Sequence, residues 1–249
     1  MRCSCCDATL PAGAIVCPHC GWQFSKPMQV QNTVIPAPQK VSSISKQQAV
    51  LVLDVSGSMA WEKKAKSVQE ATKALLAELA QDTNKDGFAV AVVHYNETAV
   101  VAHRWERASE LHQHLLPLKT GGYTNITDGL QQALNLLKEP PPDSLFPNQV
   151  RVWVRPIVVL MSDGCHNTGP EPDSVAKEIK KEADLVTVAF GSDADTELLK
   201  RLATSPDHYF FAADGKELRK VFAVVGSTSR IALSTGVSFS QARKMRQTH

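Results

Sequence analysis

Continuous apolar runs alternate along this chain with segments that are apolar on one helical face. Residues 49–53, 156–161 and 185–190 are almost entirely apolar, as in strands buried on both faces of a parallel sheet. Three intervening segments repeat apolar or small side chains at helical spacing: Ala65, Val68, Thr72, Leu75, Leu76 and Leu79, then Leu130, Leu134 and Leu137, then Val175, Ile179 and Ala183. This alternation predicts an α/β fold with a doubly wound, mainly parallel, Rossmann-like sheet.

One pair of predicted strands departs from the parallel pattern. Residues 88–95 and 99–104 are separated only by Asn96, Glu97 and Thr98, a connection too short for a parallel crossover. We therefore expect an antiparallel hairpin that forms one edge of the sheet.

Polar segments divide the chain into four parts. Residues 25–48 are rich in Gln, Ser, Val and Pro and show no apolar periodicity, which predicts a linker. The expected organisation is a small module at 1–24, the linker at 25–48, the α/β domain at 49–230 and a C-terminal tail at 231–249. Within that tail, residues 234–240 could add an edge strand or form a flexible segment that engages another chain.

Composition indicates a globular protein, because 249 residues with 43% apolar content can bury a sizeable core. The net charge of +2 is too small to indicate nucleic-acid binding by itself, although Arg243, Lys244 and Arg246 make the last residues basic. No apolar run has the length of a signal-peptide core or of a membrane span. We therefore expect a cytoplasmic protein without membrane contact.

Cysteine spacing predicts a metal site at the N-terminus. Cys3 and Cys6 form one C-x-x-C knuckle, and Cys17 and Cys20 form a second. This arrangement brings four thiolates to one tetrahedral zinc ion. A shell closed by four cysteines leaves no position for a reactive water, so the zinc is expected to be structural.

The same segment resembles the short zinc ribbons found in many bacterial proteins, including the Leu-Pro turn and the glycine after the last cysteine. Asp7 stands where that family usually has glycine, and Cys5 is a surplus thiol that could compete as a ligand. Two roles remain open for the ribbon: a structural knob, or a module that docks a protein or a nucleic acid.

Three segments far apart in sequence carry oxygen donors suited to a hard divalent cation. Asp54, Ser56 and Ser58 follow the first predicted strand, Thr124 follows two glycines and a tyrosine, and Asp163 ends the run that begins at 156. Carboxylates, hydroxyls and waters are the ligands that Mg²⁺ and Mn²⁺ prefer. In doubly wound sheets ligands bind beyond the carboxyl ends of the strands, where these donors should meet. Taken singly, each residue could instead cap a helix.

The order Asp-x-Ser-x-Ser, then a distant Thr, then a distant Asp resembles the metal-ion-dependent adhesion site of the von Willebrand factor A domain, and the resemblance covers roughly residues 46–230. It implies that Ser56, Ser58 and Thr124 contact Mg²⁺ or Mn²⁺ directly or nearly so. Asp54 and Asp163 would bind the ion or its waters, and a carboxylate from another protein would complete the shell. The protein would have no catalytic activity.

The resemblance also suggests a range of partners. Intracellular bacterial relatives of this domain often work beside AAA+ ATPases, or beside kinase and phosphatase partners in stress-response operons. A protein that presents an acidic side chain is therefore the expected partner. Tyr123 interrupts a stretch that is often glycine-rich in the family, so its ring could form part of the rim that contacts that partner.

Two other functions fit parts of the sequence. A Mg²⁺-dependent phosphatase could use Asp54 and Asp163, but Ser56 and Ser58 occupy positions where such an enzyme needs a second carboxylate and a phosphate-binding group, and no catalytic lysine is evident. The ribbon, the linker lysines and the basic tail could instead bind nucleic acid. The sequence has no P-loop, G-x-S-x-G elbow or H-E-x-x-H helix. Four histidines form no recognisable ligand pattern: His103, His112, His114 and His208.

Overall fold

A computed structural model describes residues 2, 8–10, 18–20, 44–81, 87–147 and 150–247 of the chain. The chain divides into two compact units, Met1–Val41 and Ser42–His249. The predicted oxygen-ligand residues all lie in the second unit, and the predicted zinc ribbon lies in the first.

In the first unit, Arg2 and Thr9 form an isolated antiparallel bridge, and Leu10 is buried. Of the predicted zinc ligands, Cys20 is described and is exposed. The other three lie outside the described residues: Cys3, Cys6 and Cys17. The zinc ribbon and the linker that follows it therefore stay predictions.

The second unit is built on a mainly parallel sheet, as the apolar runs predict. Its described strands are β1 (Ile44–Asp54), β2 (Phe88–Tyr95), β3 (Ala99–Arg107), β4 (Arg151–Trp153), β5 (Ile157–Ser162), β6 (Asp184–Phe190) and β7 (Tyr209–Ala212). The strand order is β3-β2-β1-β5-β6-β7, and β4 pairs with the first residues of β1. Neighbouring strands are parallel except β2 and β3. The predicted fold class and the antiparallel edge hairpin are confirmed.

Helices cover both faces of this sheet. They are α1 (Lys64–Leu79), α2 (Ala108–His114), α3 (Ile126–Lys138), α4 (Asp173–Glu182), α5 (Thr196–Leu202), α6 (Gly215–Thr235) and α7 (Phe239–Gln247). Alternation along β1 creates the two layers. Leu51 and Leu53 belong to a core shared with α1, α2 and α6. Val50 and Val52 belong to a second core shared with α3, α4 and α5.

The helix α3 lies close against the centre of the sheet because it carries a glycine there. A Cβ atom on Gly129 would lie 2.9 Å from the Tyr95 ring and 3.0 Å from Val52, so a larger residue would push the helix away. At its N-terminal end, the Asn125 amide donates to the Asn96 carbonyl just beyond β2 (2.7 Å). The start of α3 is thereby fixed at the carboxyl edge of the sheet.

The predicted linker extends too far along the chain. Residues 44–48 belong to β1, which pairs with β2 and β4 over this segment. The strand was missed because most of these residues are polar. Lys46 is nevertheless fully buried, and its ammonium group lies 4.4 Å from the centre of the Phe146 ring. Gln47 is also buried, and its Nε2 donates to the Arg155 carbonyl (2.7 Å).

The predicted boundary at residue 230 is wrong, because it falls inside α6. Residues 234–240 form neither an edge strand nor a tail: α6 ends at Thr235, Gly236 adopts a left-handed conformation (φ +71°), and α7 follows. The Phe239 ring stacks on His208 with centroids 5.0 Å apart. This buried aromatic contact holds the end of the described chain against the domain.

No single helix in the described part of the chain has both the length and the apolar character of a membrane span, whereas one bent pair, α6 with α7 at 111°, has them by length and composition together.

Candidate metal centre

Two predicted ligands lie at adjacent strand ends in the middle of the sheet. Asp54 is the last residue of β1, and Asp163 directly follows β5. Since β1 and β5 are parallel neighbours, their carboxyl ends lie side by side. From β1 the chain continues to β2 on one side, whereas β5 lies on the other side. This is the switch point at which open α/β sheets bind ligands.

The Asp54 carboxyl group is fully buried and surrounded by neutral donors. Its Oδ1 accepts from the Ser56 amide (2.8 Å), and its Oδ2 accepts from Ser162 Oγ (2.7 Å) and from the Tyr95 hydroxyl (3.4 Å). No cationic side chain in the described part of the chain pairs with it. Burial raises the pKa of Asp54 to about 6, although the hydrogen bonds from Ser56 and Ser162 lower it.

The Asp163 carboxyl group is also fully buried, but a cation lies beside it. Lys64 Nζ donates to its Oδ2 (2.8 Å), and Ser58 Oγ donates to its Oδ1 (2.7 Å). Ser58 Oγ also lies 3.1 Å from Ser56 Oγ. A continuous chain of polar contacts thus runs from Ser56 through Ser58 and Asp163 to Lys64.

Thr124 reaches the same place on a loop held by backbone contacts. Gly57 donates to the Gly122 carbonyl (2.9 Å), and the Thr124 amide donates to Asn167 Oδ1 (2.8 Å). Gly122 has φ +79°, a left-handed conformation that favours glycine in this loop. A Cβ atom on Gly164 would lie 3.6 Å from Ser58 Oγ and 4.0 Å from Thr124 Oγ1. The two hydroxyls therefore border the same small space.

Capping does not account for these hydroxyls. Ser56 precedes a 3-10 helix over Gly57–Lys63, but its side chain makes no capping hydrogen bond there. The cap of α3 is Asn125, whose side chain accepts from the Asp128 amide, and not Thr124. The Ser56 and Thr124 hydroxyls are thus not used as helix caps, and the Ser58 hydroxyl donates to Asp163 within the site.

The donor set fits a hard divalent cation. The structure brings together all five predicted oxygen ligands: Asp54, Ser56, Ser58, Thr124 and Asp163. Two carboxylates and three hydroxyls are the hard oxygen donors that Mg²⁺ and Mn²⁺ prefer. The fit is supported by the buried Asp54 carboxyl group, because a buried anion without a cationic partner is costly and a bound cation would supply that partner.

Lys64 is the site residue that the sequence did not reveal. It begins α1 directly after Lys63, the last residue of the 3-10 helix, which adopts a left-handed conformation (φ 59°). That turn directs Lys64 to Asp163, and its Nζ also lies 3.8 Å from Asp193 Oδ2. The helical period predicts only a helix whose apolar stripe starts at Ala65. A partner 99 residues away is visible only in three dimensions.

Two of the histidines do come together with an acidic residue, contrary to the expectation from sequence. Glu106 Oε1 lies 3.0 Å from His103 Nδ1, and Glu106 Oε2 lies 2.6 Å from His114 Nε2. The ligand atoms of these three residues lie close enough together to hold a metal ion. However, His103 Nε2 accepts from the Leu116 amide (3.0 Å), so in the neutral ring the proton is on Nδ1, the atom that a metal would need. We interpret the group as a hydrogen-bonded clamp between β3 and α2.

Known proteins that resemble this chain in sequence and in fold carry the same kind of domain. A sequence model of the von Willebrand factor type A domain matches residues 49–224. Inter-alpha-trypsin inhibitor heavy chain H2 of Mus musculus is 29% identical over 177 residues, and heavy chain H3 of Homo sapiens is 24% identical over the same length. Each alignment covers 67% of this chain and 18–19% of the relative, so the chain spans about a fifth of the length of these curated relatives.

Solved structures with the same fold come from diverse sources. A von Willebrand factor type A protein from Catenulispora acidiphila has a TM-score of 0.60 at 21% identity, covering 75% of this chain and 43% of that one. Proximal thread matrix protein 1 from the mussel byssus, in a form with a zinc-occupied MIDAS motif, has a TM-score of 0.57 at 19% identity, covering 74% and 48%. The family match spans most of the folded unit, and the chain therefore belongs to the von Willebrand factor type A domain family.

Proposed function

We propose that this protein is a non-catalytic interaction module whose metal centre binds a carboxylate of a partner protein through Mg²⁺ or Mn²⁺. The observation that carries the proposal is the convergence of two buried carboxylates and three hydroxyls at one edge of the sheet, with Asp54 lacking a cationic partner among the described residues. The ligands are Asp54, Ser56, Ser58, Thr124 and Asp163. A structural zinc ion held by Cys3, Cys6, Cys17 and Cys20 belongs to the same proposal.

The charges around the site favour an anionic ligand. The charges of buried Asp54 and Asp163 are partly offset by the Lys64 ammonium group, so a bound divalent ion would bring these buried groups to a net charge of +1, while the nearby Asp193 carboxylate is exposed to solvent. The three hydroxyls add no charge of their own. When bound, the metal supplies a Lewis-acidic position that a partner's carboxylate can occupy. The side chains of the protein hold that position open and electropositive.

The relatives support a role in binding rather than in catalysis. The zinc-occupied MIDAS motif of the mussel protein supports a divalent ion at the corresponding place in this fold. Another structure of the same fold is the pilus adhesin SpaC from Lactobacillus rhamnosus GG. For this chain we propose a cytoplasmic bacterial setting in which the partner is an AAA+ ATPase or a member of a kinase and phosphatase pair in a stress-response complex.

A pair of threonine variants tests this function. Thr124→Ala removes a ligand hydroxyl, whereas Thr235→Ala removes an exposed hydroxyl at the end of α6. Mn²⁺ binding to the zinc-loaded protein is followed by electron paramagnetic resonance. Capture of partners from a native lysate is then compared in Mg²⁺, without chelators, because chelators would also strip zinc. We expect Thr124→Ala to lose both Mn²⁺ and the captured protein, and Thr235→Ala to keep both. Equal capture by both variants would contradict the metal-bridged mechanism.

A phosphatase is the second candidate, and Lys64 is the observation that favours it. A lysine beside a carboxylate at a Mg²⁺ site can position phosphate in phosphoryl transfer. Against this, Asp54, the expected nucleophile, is fully buried and hydrogen-bonded to Ser56 and Ser162. Turnover of p-nitrophenyl phosphate in Mg²⁺ that disappears in Asp54→Asn would establish the enzyme. We expect no turnover in either protein.

Nucleic-acid binding is the alternative for the other parts of the chain. Lys244 and Arg246 are exposed on α7, and the ribbon could add contacts. This function predicts an affinity that falls steeply with salt and does not depend on Thr124. The metal-bridged function predicts the reverse, so a salt titration of both threonine variants separates the two.

A further inference from the structure

A cavity of about 580 Å³ opens between the β2–β3 hairpin and the loop that leads from α2 towards α3. We call it the hairpin cavity, and its lining includes Val55, His94, Val100, Ala102 and Leu116. Its volume lies within the range of sites that enclose a small ligand. It is therefore large enough for a bulky side chain together with part of its backbone.

The hairpin cavity adjoins the metal centre through shared backbone. Val55, in its wall, lies between the predicted ligands Asp54 and Ser56. The Val55 carbonyl accepts from the Gly121 amide (2.9 Å), and Asn96, also in the wall, donates from Nδ2 to the Gly121 carbonyl (2.9 Å). One hydrogen-bonded unit thus forms both the wall of the cavity and the loop that carries Thr124. A partner segment that is bound at the metal centre and runs towards the β2–β3 hairpin would therefore meet the cavity.

The lining favours an apolar group with a negative neighbour. Val100 and Leu116 are 58% and 48% exposed, an unusual exposure for two large apolar residues that share one opening. Burial, with a smaller contribution from His103, lowers the pKa of His94 to about 4, so the ring is neutral near pH 7. Lys119 is the charged residue among those described in the lining, and none of them is acidic.

We propose that the hairpin cavity is the specificity pocket of the metal centre, and that it receives a large apolar side chain from the same partner segment that presents the acidic residue. This inference rests on the proposed function, because the acidic residue is what anchors the segment. An extended chain advances about 3.3 Å per residue, so the apolar residue must stand at a fixed offset from the acidic one. The metal binds carboxylates generally, and the pocket selects the sequence around them.

The probe is a displayed library of random peptides that each contain one fixed Asp. The library is selected on the zinc-loaded chain of residues 1–249 in Mg²⁺. We expect enrichment of Leu, Met, Phe or Trp at one offset from the Asp. The affinity of the leading peptide is then measured by fluorescence anisotropy on three variants. Leu116→Ser and Ala102→Trp, which respectively remove and obstruct the apolar lining, should each weaken binding about fivefold or more.

The matched control is Phe211→Ser. Phe211 is 47% exposed, like Leu116, but it lies on β7 at the opposite edge of the sheet, so its loss should leave peptide affinity unchanged. Mg²⁺-dependent peptides without an apolar preference, or equal affinities in all three variants, would overturn the specificity pocket and leave the metal-bridged function standing. A library that yields no Mg²⁺-dependent peptide would overturn both. An apolar preference that survives in Thr124→Ala would separate the cavity from the metal centre and refute the proposal.

Discussion

The two carboxylates of the metal centre are equally buried, yet the two sides of the site treat them differently. On the β1 side, Asp54 has only neutral donors around it, and its pKa is raised to about 6. On the β5 side, Asp163 has Lys64 Nζ at 2.8 Å. One side is thus short of positive charge, and the other is neutralised by the protein itself. A bound cation is expected to be drawn mainly by the β1 side, while the β5 side keeps its geometry without the metal.

The largest expected effect on stability comes from breaking the ion pair on the β5 side, between Asp163 and Lys64. Asp163→Asn leaves the Lys64 ammonium group largely buried beside an uncharged amide, with Asp193 3.8 Å away as its remaining partner. Removing one member of a buried ion pair commonly costs about 3 kcal/mol or more. We expect the free energy of unfolding of the metal-free protein to fall by about 2–4 kcal/mol, measured by urea denaturation. A variant as stable as the wild type would show that Lys64 does not depend on Asp163.

Removing the charge on the β1 side, at Asp54, should instead raise the free energy of unfolding. Asp54→Asn removes a carboxyl group whose burial raises its pKa from 3.8 to about 6. Near pH 7 that shift corresponds to a destabilisation of about 3 kcal/mol at most, part of which the amide will not recover because it accepts the Ser56 and Ser162 hydrogen bonds less well. We expect the metal-free variant to be about 1–2 kcal/mol more stable than the wild type in urea.

The same variant should lose the stabilisation that Mg²⁺ gives the wild type, since a ligand that binds only the folded state raises stability by mass action. Stability gained at the expense of metal binding is the signature of a functional carboxylate. A loss of stability in Asp54→Asn would mean that the neutral hydrogen bonds outweigh the burial of the charge.

Removing the Lys64 charge from the β5 side should leave both carboxylates without a lysine partner among the described residues and strengthen metal binding. Lys64→Met keeps an unbranched side chain against Gly191 but removes the charge. A unit charge repels a nearby divalent ion by several kcal/mol at the effective dielectric of a partly buried site, and solvent offsets much of this. We expect Mn²⁺ to bind about tenfold more tightly in the Lys64→Met protein, measured by electron paramagnetic resonance. Lys64→Arg is the control and should bind as the wild type does. Weaker Mn²⁺ binding in Lys64→Met would show that Lys64 chiefly orients Asp163.

The smallest expected effect is a change in the pH dependence of stability. The folded pKa of Asp54 lies above its unfolded value, so its contribution to stability is present at low pH and is lost as pH rises through about 6. His94 has a folded pKa of about 4, below its usual 6.5, so its contribution is present above pH 6.5 and is lost as pH falls towards 4. Between these limits the two groups oppose each other in the metal-free protein.

In Asp54→Asn, the pH dependence of stability that comes from His94 should therefore no longer be offset by Asp54. Between pH 6.5 and 5, we expect the variant to lose about 1 kcal/mol more stability than the wild type. The measurement is urea denaturation of both metal-free proteins at each pH. Parallel pH profiles would mean that Asp54 does not titrate in this range.

The buried strands were predictable from sequence because their signal is local, whereas the five candidate oxygen ligands were predicted from three distant segments taken together as one family pattern. A buried strand is a run of apolar letters, so 49–53 and 156–161 identified the centre of the sheet. Asp54 ends one of these strands and Asp163 directly follows the other, where a polar residue can also be a helix cap, so they indicated a site only as part of the whole pattern. The start of β1 was missed for the converse reason: Lys46 and Gln47 are polar letters whose partners lie far along the chain.

Sequence by itself determined the main strands and the antiparallel edge, because period and strand length are properties of neighbouring residues. It also gave the candidate metal ligands, through the resemblance of three distant segments to one family pattern. Tertiary structure alone decided how the site is charged and what lies beside it. Lys64 reaches Asp163 across 99 positions, and the hairpin cavity joins β2, β3 and the loop after α2. Such contacts depend on which strands and loops become neighbours when the helices pack on the two faces of the sheet. No local sequence pattern specifies the distance between residues that are far apart in the chain.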